Sequence, residues 1–284
     1  MPDPNDALLR KVLKELESLR GEASRGRKVE VPISLGSYLA DFIALPGLVG
    51  VWPMSSIQRS TGLAYDLSSQ ARHLTYNGNP VFGQFINPVG GLAIPYLDFD
   101  GTGDFLSRAD ETDLDILGTE TIFSAGTRGI TFGGWCWWDV AGTPGVTTRP
   151  FITKAVSSGV SPYQIYMEAG AGQRVFAAFS DSSAGINAID MSTPGAVSLQ
   201  NWHCVIAKCV MGGTATLMVD GNFYTTSASG LASLYDSNGA FEIGRGFATN
   251  MLDGRAAICF LCANAHSDDM LNLIWNRGRV LFGV

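Results

Sequence analysis

Residues 199–226 read LQNWHCVIAKCVMGGTATLMVDGNFYTT. Three β-prone runs, 202–210, 214–220 and 222–226, are separated by Gly212-Gly213 and by Asp220-Gly221. Asp-Gly between two such runs is the strongest short hairpin signal. The primed turn that matches strand twist needs φ > 0, which glycine supplies without steric cost. The stretch therefore predicts an antiparallel meander of three strands, and that meander sets the fold class.

The same texture extends outward. Further candidate strands lie at 48–53, 95–99, 104–107, 131–139, 150–154, 163–168, 174–180, 186–191, 240–244 and 255–263. Many short strands separated by Gly, Asn and Ser turns indicate two packed antiparallel sheets, an all-β sandwich. The 34 glycines and the low charged content of 16% suit that architecture. At 284 residues, 46% of them hydrophobic, the chain is large enough to bury a core without disulfide staples.

Two helices belong with the sandwich. Tyr38, Leu39, Phe42 and Ile43 have helical spacing and predict a short helix near 37–45. Ser267 followed by Asp268 and Asp269 predicts a closing helix over about 268–278, with acidic residues placed against the positive end of the helix dipole.

Residues 4–20 predict a third helix, capped by Asp3, opened by Pro4 and stopped by Gly21. Leu9, Val12, Leu16 and Leu19 repeat at 3-4-3 spacing, the stripe of a short coiled coil. An isolated helix of this length is marginal in water, so its apolar face requires a partner. That partner is either a second copy of the helix, the rest of the chain, or another protein. GEASRGRK, 21–28, is a flexible basic linker. The division expected is an arm and linker at 1–28 and a two-sheet domain at 29–284, with a lead-in at 29–45 in which Val29–Val31 forms a strand stopped by Pro32.

The formal net charge is −7 and it is uneven. Residues 1–28 hold seven basic and five acidic side chains, leaving 12 basic against 21 acidic in the remainder, a net of −9. So acidic a body repels phosphate backbones and argues against nucleic acid as a partner. The longest apolar run, Phe42 to Met54, is broken by two prolines and two glycines and falls short of a membrane span. The N-terminus lacks the basic-then-apolar pattern of a signal peptide, and no Asn-x-Ser/Thr acceptor occurs. The five cysteines, 136, 204, 209, 259 and 262, sit among apolar strand residues and read as buried free thiols. Cys259-x-x-Cys262 with His203 and His266 is the alternative, a zinc or redox site. Residues three apart on a strand face opposite ways, which works against it.

An ordered series of phrases resembles the laminin-G-like, concanavalin-A-like jelly-roll superfamily over residues 46–284. The phrases are LVGVWPM (48–54), Asp66-Leu-Ser-Ser, LDFDGTGDFL (97–106), Phe132-Gly-Gly-Trp135, Lys154, Trp202-His203, Val219-Asp220-Gly221, Glu242-Ile243-Gly244 and Leu252-Asp253-Gly254. The resemblance implies a two-sheet sandwich used for recognition, often of glycans. It also implies a calcium site in many relatives, with Asp66 at the loop position. The second carboxylate of that site falls on Ala257 here, so no cofactor is expected. Trp135, Trp137 and Trp202 match core positions, and His203 matches a packing position.

The residues bear on three catalytic patterns. Glu111-x-Asp113-x-Asp115 has the alternate spacing of a glycosidase strand, against a solvated turn. A Ser/His/Asp relay finds only three histidines and no nucleophile elbow. The glycine-rich segments carry no phosphate-binding lysine loop. Tyr163, Tyr166, Phe223 and Tyr224 are the aromatic candidates for sugar stacking.

The expectation is a non-enzymatic structural or recognition protein, with no catalytic residue assigned. Its context is a virion surface, as a phage tail-fibre, head-fibre or decoration protein made in the host cytoplasm. Leu9, Val12, Leu16 and Leu19 supply homo-oligomerisation or docking to other virion proteins, and a glycan is a candidate ligand. A lectin module of a cellular protein, and a glycoside hydrolase or lyase, are the alternatives.

Overall fold

The computed structural model describes residues 33–55, 61–88, 91–112, 114–116, 128–141, 148–154, 161–168, 172–182, 188–246 and 250–284. The predicted arm helix at 4–20, the strand at 29–31 and Asp113 lie outside them.

Among the described residues, a first helix, α1 (Leu35–Ile43), leads into sixteen strands. They are β1 (Leu48–Trp52), β2 (Leu63–Ala64), β3 (Leu74–Asn77), β4 (Val81–Ile86), β5 (Ala93–Asp100), β6 (Phe105–Arg108), β7 (Gly129–Trp138) and β8 (Thr148–Lys154). Then come β9 (Tyr163–Glu168), β10 (Arg174–Phe179), β11 (Ile189–Ser192), β12 (Trp202–Val210), β13 (Thr214–Val219), β14 (Asn222–Ser227), β15 (Phe241–Ile243) and β16 (Asp253–Cys262). Helix α2 (Asp268–Phe282) closes the chain.

The strands form two antiparallel sheets, and the protein is a β-sandwich. Sheet A runs β14-β13-β12-β7-β16-β5-β4, and β1 pairs with the second half of β16. Sheet B runs β11-β10-β9-β8-β15-β6-β3-β2. The meander predicted from 199–226 is β12-β13-β14. Its second turn has φ of 51° at Asp220 and 77° at Gly221, both in the left-handed region that the Asp-Gly signal implies.

Strand β7 reads GITFGGWCWW, with no polar alternation. The reason is that sheet A is buried on both faces. Ile130, Phe132, Cys136 and Trp138 enter the core between the sheets. Trp135 enters a second apolar layer on the outer side with Trp202, Cys204, Ile206 and Phe260, roofed by Tyr38 and Phe42 of α1 and by Leu271, Ile274, Leu281 and Phe282 of α2. Trp135 and Trp202 are thus core residues, as the resemblance implied, but of this outer layer. Cys259 and Cys262 follow the strand-alternation argument: Cys259 faces between the sheets and Cys262 faces the helices. All five thiols are free and buried.

Helix α1 starts at a capping box of Ser34 and Ser37. Helix α2 starts at Ser267 as predicted, but runs through Gly278 to a left-handed Gly283. Gly278 is there for close packing against the Tyr38 hydroxyl and the Trp135 ring.

Candidate functional site

With both helices packed on sheet A, its outer face is closed over the central strands β7, β12 and β16. Among the described residues no helix covers the outer face of sheet B, and there the side chains that point away from the core collect. Pairing register lays them out as one row. Asp190 lies opposite Ala178, Ala178 opposite Gln164, and Gln164 opposite Thr153. Thr153 then lies opposite Glu242, Glu242 opposite Ser107, and Ser107 opposite Thr75. The row crosses seven strands.

At its centre Glu242 is only 1% exposed. The Arg245 guanidinium grips both its oxygens, with Nε donating to Oε2 at 2.9 Å, and also lies 3.6 Å over the Phe105 ring. Beside it the fully buried Thr153 hydroxyl has no partner among the described residues, a polar group whose solvation has been lost without replacement. At one end Asn77 donates to the Ser107 hydroxyl at 2.8 Å.

Adjacent to the row, Tyr166 on β9 and Phe176 on β10 are direct cross-strand neighbours. Their rings lie 5.2 Å apart with planes 6° from parallel, and the Arg174 guanidinium lies 5.9 Å from the Phe176 centroid. Burial raises the Tyr166 phenol well above its ordinary range, and the charges of Asp190 and Glu168 raise it further. Partial burial also raises the Asp190 carboxyl. The rings stack on each other, and an outward ring face of the pair, near hydroxyl, amide and carboxylate groups, is chemically equipped to meet the C–H face of a sugar while its hydroxyls are hydrogen-bonded.

Of the four aromatic candidates, only Tyr166 belongs to this face. Tyr163 is buried between the sheets, where its hydroxyl donates to the Leu114 carbonyl at 3.1 Å, because odd-numbered residues of β9 point into the core. Phe223 packs against the helix-covered layer and Tyr224 against the inter-sheet core.

Asp66 is a staple. Its Oδ1 accepts from the amides of Val51 and Ser68, both at 2.8 Å, and its Oδ2 from the Arg72 amide at 2.9 Å and from the Ser68 hydroxyl. These four donors tie the 66–72 loop to β1. Ala257 sits in the bulge of β16, fully buried in the layer beneath the helices.

Glu111 and Asp115 do not share a face. Glu111 pairs with Arg108 at 2.7 Å, while Asp115 lies 3.0 Å from the buried Lys154 ammonium, which also meets Asp110 at 2.5 Å. The segment is a turn, with the Leu114 amide donating to the Glu111 carbonyl, and Leu114 and Ile116 plug the core beneath it. Burial dominates the upward shift of the Asp115 carboxyl, and Lys154 opposes it.

One constellation escaped the sequence reading. His203 Nδ1 lies 2.6 Å from Asp220, and its Nε2 lies 3.1 Å from the Ser198 hydroxyl. The order resembles a nucleophilic relay, but Nε2 is also 2.9 Å from the Ser198 carbonyl. The carbonyl and the Asp220 carboxylate both only accept, so each ring nitrogen lies against an acceptor and the Ser198 hydroxyl is not the sole partner of Nε2. With the Cys204 amide donating to the other Asp220 oxygen at 2.9 Å, the set fastens the start of β12 to the β13–β14 turn. Only Trp202-His203 and Asp220-Gly221 signalled it, as structural phrases.

No protein-family model and no curated protein matches the chain. Solved structures do. The receptor-binding domain of botulinum neurotoxin C/D mosaic serotype aligns with a TM-score of 0.58 at 10% identity, over 83% of this chain and 52% of that one. The binding domain of Paraclostridial Mosquitocidal Protein 1 aligns at 0.59 and 11%, over 81% and 52%. The ligand-binding domain of botulinum neurotoxin serotype D, in complex with N-acetylneuraminic acid, aligns at 0.58 and 11%, over 86% and 53%. The chain therefore spans about half the length of these proteins, and the likeness is one of fold, a β-sandwich.

Proposed function

We propose that this chain is a laminin-G-like jelly-roll recognition module that binds a glycan on the outer face of sheet B, without turnover. The observation that carries the reading is the stacked Tyr166–Phe176 pair beside a row of polar side chains on the sandwich face that, among the described residues, no helix covers. The fold shared with domains named for receptor and ligand binding, one of them solved with a sialic acid, supports recognition as the role. In this reading the stripe of Leu9, Val12, Leu16 and Leu19 joins copies of the module, or attaches it to a larger body such as a virion surface.

The experiment is a broad glycan array probed with the full chain, with and without calcium. Saturable hits that disappear in Tyr166→Ala are expected. An array without hits removes the glycan reading. For the arm, removal of residues 1–28 is expected to lower an oligomer to monomer mass by light scattering, and an unchanged mass refutes its role.

A further inference from the structure

We propose that the stripe of Leu9, Val12, Leu16 and Leu19 of one copy docks on the outer groove between α1 and α2 of a second copy. This rests on the reading of the arm as the element that joins copies, and it adds the surface that receives the arm.

The groove is apolar where solvent meets it. Leu273 and Val280 of α2 are 43% and 52% exposed. They lie two turns apart, so they share one side of the helix. Arg277 stands between them and reaches Asp41 of α1 at 2.5 Å, which sets that side beside α1. Helix α1 reads LGSYLADFI, with a single charged residue. Tyr38, Leu39 and Phe42 enter the layer on sheet A, the Ser37 hydroxyl is used in the capping box, and Asp41 is held by Arg277. A helix so nearly apolar all round calls for cover on its outer side as well.

The arm matches this groove in spacing, register and charge. Leu9 and Leu16 are separated as Leu273 and Val280 are, by seven residues or about 10 Å of helix. Laid antiparallel, Leu9 meets Val280 and Leu16 meets Leu273, and Arg20 then falls against the exposed Asp269. The two helix dipoles oppose in that orientation. Residues 1–28, with seven basic and five acidic side chains, carry a net +2 against −9 for the body, which favours an arm on a body over an arm on another arm. Residues 21–32 extend to about 40 Å, enough to cross to a neighbouring copy. Two copies that exchange arms close a dimer about a two-fold axis, with both stripes and both grooves covered.

The test is light scattering of the full chain and of two double variants. Leu273→Glu with Val280→Glu disables the groove, and Leu9→Glu with Leu16→Glu disables the arm. The parent is expected at dimer mass and each variant at monomer mass. An equimolar mixture of the two variants is expected to recover dimer mass, because the intact arm of one finds the intact groove of the other. The milder Val280→Ser, expected to raise the monomer fraction, replaces the groove variant if its circular dichroism departs from the parent's. A folded groove variant that stays dimeric overturns the groove while leaving the arm as the joining element. Monomeric variants that do not recover on mixing overturn the exchange and put the arm on its own chain. A monomeric parent, or a dimer that survives removal of residues 1–28, overturns the joining reading on which the inference rests.

Discussion

A Cβ added to Gly278 of α2 falls 2.4 Å from the Tyr38 hydroxyl of α1. The same atom falls 2.5 Å from the Trp135 ring. These groups form a hydrogen-bond chain: the Trp135 indole donates to Tyr38 Oη at 2.9 Å, and Tyr38 donates to the Ile274 carbonyl at 3.0 Å. Both rings are fully buried, so neither has room to yield. Alanine in a helix interior is worth about 1 kcal/mol over glycine, whereas overpacking costs about 1–3 kcal/mol. Gly278→Ala is expected to lower stability by up to about 2 kcal/mol on that balance. A urea titration checks it, and a stabilised variant refutes the close-packing account.

The middle of β7 makes a stronger demand. Gly134 has φ of 156°, and a Cβ there falls 2.0 Å from the Ile258 carbonyl on β16. That clash is with main chain in the β16 bulge, next to Cys259, which pairs with Gly134, so side-chain repacking does not relieve it. Gly134→Ala is expected to cost more than about 3 kcal/mol and to fail as soluble protein. An expressed variant with an unchanged thermal midpoint would contradict the strand register.

Local signals made much of this fold readable, and long-range ones did not. Asp220-Gly221 encodes its turn within four residues, and the Ser267 cap encodes the start of α2. Strands β3 and β4, LTYN and VFGQFI, were missed. Gly78-Asn79-Pro80 separates them, and they belong to opposite sheets, β4 at the very edge. Gly83 within β4 weakens the strand pattern because the Tyr96 ring occupies the space of its side chain. Likewise the apolar run of β7 announces burial but not two-sided burial, and Gly278 looks like a helix stop until Tyr38 is placed against it. At the site, Tyr166 was legible as a polar-tipped aromatic. Phe176, Asp190, Thr153 and Glu242 were not, since only register across several strands brings them to one face.

The Asp66 staple predicts indifference to calcium. Its carboxylate already accepts four hydrogen bonds from protein donors. The thermal midpoint in millimolar calcium is expected to equal that in chelator, whereas a rise with calcium would reveal a site that stabilises the native state. Asp66→Ala strips partners from the buried Val51 and Arg72 amides and is expected to cost on the order of 3 kcal/mol.

Acid pH is expected to weaken the start of α2 through His266. Burial, and then the Lys208 ammonium, push its imidazole from 6.5 down to about 4. Lys208 is fixed there by the His266 carbonyl at 3.0 Å and the Asp268 carboxylate at 2.5 Å, so its charge cannot move away. Between pH 6.5 and about 4 the unfolded chain binds a proton at this residue and the native one does not. Stability from His266 is thus complete above pH 6.5 and is lost as pH falls, by up to about 3 kcal/mol near pH 4. The partly buried carboxyls of Asp41, Asp98 and Asp115, all raised, act with opposite sign: they favour the native state as they protonate. Comparison with His266→Gln cancels them. Urea midpoints at pH 7.5 and 5 are expected to fall further in the parent protein than in the variant, and parallel profiles would exclude His266 as the titrating group.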